Sequence, residues 1–61
     1  MNYMIEIEID CGRLNDLINN YFRDAGDVAQ EIWYAEEIIY VLKRMNESAL
    51  RFREVLTANS K

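Results

Sequence analysis

Sixty-one residues with a formal net charge of −4, one cysteine and no histidine allow one small domain, and a lone domain of that size buries only about 60% of the surface its unfolded chain exposes. The single cysteine excludes an internal disulfide. Without histidine there is no ordinary zinc site, no Ser-His-Asp or Cys-His pair and no His-based iron site. The only two glycines, Gly12 and Gly26, stand fourteen residues apart, which excludes both phosphate-cradling glycine patterns. No catalytic residue, metal site or cofactor is expected; adjacent acids such as Glu36 and Glu37 read as solvated helix edge. Small chains of this kind add a staple, and oligomerisation is the one left over.

From Tyr3 to Asp10 the chain alternates, with Ile5, Ile7 and Ile9 on one face and Glu6, Glu8 and Asp10 on the other. Period two with isoleucine on one side predicts a half-buried strand over 3–9. No other segment alternates, so the strand's partner would come from a second copy or another protein.

Asp10 then caps a first helix over 11–24, with Leu14, Leu17, Ile18, Tyr21 and Phe22 at the spacing of one apolar face. Cys11 beside Gly12 reads as a small half-buried filler in a turn. The helix is expected to end at Gly26 in the left-handed conformation. Asp27 follows as the N-cap of a second helix over 27–57, with Gln30 at capping-box spacing; about 30 residues give a rod of roughly 45 Å. Residues 58–61 read as a frayed tail.

Two apolar stripes run along the long helix. One is Val28, Ile32, Ala35, Ile39, Leu42, Ala49 and Leu56; the other is Tyr34, Ile38, Val41, Met45, Phe52 and Val55, broken by Ser48. A helix apolar on more than one face is covered on more than one face. A first helix of about 12 residues reaches roughly 18 Å, which leaves the half from Leu42 to Leu56 without cover. The fold class predicted is therefore mainly α: a short N-terminal strand, a short helix and a long helix forming a helical hairpin completed by dimerisation. The oligomer interface is assigned to Ile5, Ile7, Ile9, Ile38, Leu42, Met45, Ala49, Phe52, Val55 and Leu56.

Charge is unevenly spread. Residues 1–37 hold nine acids against Arg13 and Arg23, net −7, and residues 38–61 hold Lys43, Arg44, Arg51, Arg53 and Lys61 against Glu47 and Glu54, net +3. Antiparallel pairing of two such chains would bring opposite charges together. No 18-residue apolar run and no signal-peptide pattern is present, so the expected compartment is the cytoplasm, that of the host cell if the protein is viral.

The order strand, short helix, glycine-containing joint and longer helix is similar to ribbon-helix-helix repressors, whose paired strands enter the DNA major groove. That resemblance, of pattern alone, implies a dimeric DNA-binding repressor. The outward face of such a ribbon would be Glu6, Glu8 and Asp10, which repels phosphate where arginine and lysine normally make contact. The favoured expectation is a small acidic non-enzymatic regulator or inhibitor that binds itself and another protein, of bacterial or phage type, with Glu6, Glu8, Asp10, Trp33, Glu36, Glu37 and Tyr40 as candidate partner-binding residues. An acidic edge can mimic nucleic-acid charge on a basic cleft. The remaining reading is a structural helix-bundle subunit.

Overall fold

The computed structural model describes residues 2–60, and all but a few of them lie in two helices, α1 (Tyr3–Asp24) and α2 (Val28–Asn59). A three-residue joint folds α2 back along α1 as a hairpin measuring 52 × 16 × 13 Å, with a radius of gyration of 15.0 Å. A globular domain of this length has about 10.5 Å, so the molecule is a rod.

The predicted strand is helix. Asn2 accepts at its Oδ1 from the backbone N–H groups of Met4 and Ile5, at 3.0 and 3.3 Å, and so caps the first turn of α1. Asp10, assigned as the cap, lies in the third turn. The physical reason is backbone satisfaction: a strand here has no ladder partner within the chain, whereas a helix pairs its own N–H and C=O groups. Winding also redistributes the isoleucines. Ile7 turns inward and is half-buried, while Ile5 and Ile9 stay more than half exposed. The ribbon required by the repressor resemblance is therefore absent among the described residues.

Extending α1 to 22 residues removes most of the mismatch expected between the helices. Apart from Glu6 and Asn20, the half-buried and buried positions of α1, Tyr3, Ile7, Asp10, Leu14, Leu17 and Tyr21, recur at steps of four and three, as do, apart from Glu37, those of α2, Tyr34, Ile38, Val41, Met45, Ser48 and Phe52. Two such stripes pack as a seam between antiparallel helices. Tyr21 meets Tyr34 at one end, with ring centroids 6.0 Å apart. Tyr3 shares a groove with Ser48 and Arg51 at the other. Thus α1 covers α2 as far as about Phe52, and only the last two turns of α2 run past it, carrying Val55 and Leu56. Ile7, Ile38, Met45 and Phe52, assigned to an interface between copies, belong to this internal seam.

The seam is thin. Val41 is the one buried apolar residue among those described, and full burial of one valine contributes on the order of 1.5–3 kcal/mol. The chain exposes 4936 Å², against about 4200 Å² for a compact monomer of this size.

The joint is Ala25, Gly26 and Asp27. Asp27 caps α2 as predicted, accepting from the Gln30 N–H at 2.8 Å, but the Gln30 side chain reaches back to the Gly26 N–H at 2.6 Å rather than to Asp27. Gly26 does not have positive φ, because Ala25 leaves α1 in an extended conformation, φ −72° and ψ 110°, and no left-handed residue is needed. Gly12 and Cys11 lie inside α1, both exposed, not in a turn. Helix α2 continues through Asn59, two residues beyond the predicted end; Lys61 of the predicted tail lies outside the described residues.

Candidate functional site

The hairpin has two unlike flanks, one on each side of the seam. In α2 the residues following Tyr34, Val41, Ser48 and Val55 are Ala35, Leu42, Ala49 and Leu56, and the same line begins at Val28. In α1 the residues following Tyr3, Asp10 and Leu17 are Met4, Cys11 and Ile18. In an antiparallel pair these lines lie on the same side of the seam. Ile32, Ile39 and Phe22 widen the strip, with Glu8 and Arg53 as the charges at its border. All of these residues are exposed, Phe22 by 80% and Val28 by 69%. A contiguous apolar strip along the length of a small protein marks an interaction surface.

The other flank is polar. Glu6, Arg44, Glu47 and Arg51 line one groove with Tyr3 and Ser48; Arg13, Asp16, Asn20, Glu37 and Tyr40 line a second with Leu17 and Val41. Their volumes, about 150 and 290 Å³, fall at or below the 300–1,000 Å³ of most small-molecule sites. Here the opposite charges predicted to pair between chains meet within one hairpin, because the acidic start of α1 runs beside the basic half of α2.

One pair enters the seam itself. Asp10 is 1% exposed, with its Oδ2 3.7 Å from Arg44 Nε, and its Oδ1 has no hydrogen-bond partner. The Arg44 guanidinium stays about half exposed and lies 5.9 Å from the centre of the Tyr40 ring.

The candidate partner-binding residues separate into two groups. Glu6, Glu8 and Asp10 do not form an acidic face: Glu6 lines the polar groove, Asp10 is buried, and Glu8, about 200° around the helix from each, is exposed on the far side. Trp33, Glu36, Glu37 and Tyr40 do share one side of α2, since their spacing keeps them within about 100° of arc. Trp33 and Tyr40 are each more than half exposed, and the Trp33 ring stands edge-on to Tyr34 at 4.9 Å, which holds it in place. Among the assigned interface residues, Leu42, Ala49 and Leu56 lie on the apolar flank, and Ile5 and Ile9 are exposed elsewhere on α1.

Sequence reasoning missed Met4, Cys11 and Ile18 as surface-strip residues. Their seven-residue spacing was the available signal, hidden by reading 3–9 as a strand. Tyr21 was placed on the apolar face, yet its hydroxyl also donates to Glu31 Oε1 at 2.8 Å and ties the helices together beside the joint. That hydrogen bond, and secondarily the Glu31 charge, raises the Tyr21 pKa above the ordinary tyrosine value.

Among the described residues no cluster of three or more acids and cysteines is arranged to hold a metal ion, and no helix is long and apolar enough to cross a membrane. Comparison of the chain with protein-family models, with curated proteins and with solved structures finds no match.

Proposed function

We propose that this hairpin is a small acidic non-enzymatic regulator or inhibitor, of bacterial or phage type, that acts by binding protein. It associates first with itself and then presents a second surface to another protein. The observation that carries this reading is the uninterrupted apolar flank on a hairpin in which Val41 is the single buried apolar side chain among the described residues. Water-exposed methyl and aromatic groups in that number are a driving force for association with protein.

The surface offered to the other protein is Trp33, Glu36, Glu37 and Tyr40. Tryptophan and tyrosine dominate the energetics of many interfaces, and flanking carboxylates steer a basic partner into contact. An acidic edge at Glu6, Glu8 and Asp10 has no part in this reading, since the three residues do not share a face.

The test is affinity capture from producing cells with the wild type beside Trp33→Ala/Tyr40→Ala, followed by titration of the purified captured protein. A saturable complex weakened at least about tenfold by the double substitution supports the reading; equal affinity for both proteins overturns the assignment of the surface. The same apolar flank also suits a structural bundle subunit, and assemblies much larger than a dimer at micromolar concentration would select that alternative.

A further inference from the structure

We infer that two hairpins associate through their apolar flanks in opposite directions, forming an antiparallel four-helix bundle in which α2 lies on α2 and α1 on α1. This rests on reading the flank as a binding surface, and it commits the occupant of that flank to a second copy of the chain.

The first argument is the order of side-chain sizes. Along α2 the flank reads Val28, Ala35, Leu42, Ala49, Leu56, seven residues apart, and alternates large and small about Leu42. Reversal about Leu42 sets Val28 level with Leu56 of the second copy, Ala35 with Ala49, and Leu42 with Leu42. Small residues meet small ones, so the helices approach closely at two levels, and large ones meet at the centre and ends. A helix laid antiparallel on its own copy about a two-fold axis requires such a self-complementary pattern.

Size and charge point the same way. A face of roughly 50 by 15 Å is about 750 Å², close to the about 800 Å² per partner of a stable interface. The two turns of α2 that outrun α1 gain cover in the reversed arrangement, because the joint end of the second copy, with its exposed Val28 and Phe22, lies over Val55 and Leu56. Arg53, at the border of the strip, comes level with Glu31 of the second copy. Two hairpins side by side in the same direction would instead bring Asp24, Asp27 and Glu31 of both copies to one end, where like charges repel.

The experiment uses the full chain. Sedimentation equilibrium is expected to give a dimer, and spin labels on Thr57→Cys in a Cys11→Ser background to lie about 45 Å apart, from fifteen residues of helix on each side of Leu42. Ala49→Glu is expected to weaken dimerisation at least about 100-fold while helicity is retained: Ala49 is exposed in the hairpin, but in the dimer a carboxylate there would be desolvated. Ala35→Glu should repeat the effect at the matching level. A dimer with labels within about 20 Å would overturn the reversed arrangement and leave self-association standing. A monomer at high micromolar concentration, or a dimer indifferent to both glutamates, would overturn the inference altogether. Binding of another protein at Trp33 and Tyr40 is read by a separate measurement.

Discussion

Asp10 and Arg44 form the one ion pair that joins α1 to α2 among the described residues, and it is an asymmetric one. The carboxylate is enclosed in the seam while the guanidinium reaches it from solvent at 3.7 Å. An enclosed acid with one unpartnered oxygen costs desolvation that a half-exposed arginine only partly offsets. The pair also sets register, because sliding α2 by one turn would leave the carboxylate without a cation. Arg44→Met alone is therefore expected to destabilise the hairpin by about 1–3 kcal/mol, whereas Asp10→Leu/Arg44→Met should be equal to or more stable than wild type. Denaturant melts of the two variants decide it. A double substitution less stable than Arg44→Met would mean that the acid favours the fold.

Gly12 stands in mid-helix with open space where a Cβ would project. Nothing in its conformation needs glycine, and the unfolded chain gains entropy from it. Gly12→Ala should raise stability by about 0.5–1 kcal/mol, which in a domain of this size is roughly 4–8 °C of melting temperature per kcal/mol. A lower melting temperature would mean that a bound partner or second copy approaches the backbone at this point.

Where sequence and structure agree or part has a physical pattern. The long helix was readable from the Asp27 cap and from its repeated apolar spacing, both of which are local signals. The two stripes on it were also readable, but not which one faces α1: that depends on where α1 begins. At Tyr3–Asp10 the residues Ile5, Ile7 and Ile9 satisfy a strand pattern perfectly, and only the lack of a ladder partner, a property of the whole chain, favours helix. The same error hid Asn2 as the cap and displaced the expected interface onto Phe52 and Met45. Gly26 was read as left-handed because glycine commonly ends helices that way; an extended Ala25 made the same reversal without it. Of the candidate partner-binding residues, those on α2 cohere because helix spacing alone brings them together, and those at 6–10 scatter because their grouping relied on the strand.

Phe52 tests the corrected assignment. It is half-buried in the seam and lies three residues beyond the exposed Ala49. Phe52→Glu removes apolar burial and places a carboxylate against α1, so it should cost the hairpin itself about 2–4 kcal/mol. Isolated small cores rarely exceed about 3–5 kcal/mol, so much of the helical circular dichroism should be lost at room temperature. Ala49→Glu should keep it. If Phe52→Glu dissociates a dimer without loss of helix, Phe52 faces a second copy and the seam has been placed one stripe out.

The Tyr21 to Glu31 hydrogen bond makes a distinct prediction about alkaline pH. The bond needs the phenol proton, and the folded state therefore holds that proton more tightly than the unfolded chain, whose tyrosine titrates near pH 10. A group whose folded pKa is raised contributes stability that is complete below the unfolded value and disappears as pH climbs through the folded one. The contribution is thus present at neutral pH and lost above about pH 10. Ionised Tyr21 would then face the Glu31 carboxylate across the joint end of the seam. The informative quantity is the difference between wild type and Tyr21→Phe, in which any pH dependence common to both proteins cancels. The gap in stability between them should be constant from pH 6 to 9 and shrink, or reverse, at higher pH. A gap that stays constant through pH 11 would mean that the hydroxyl donates to water and not to Glu31.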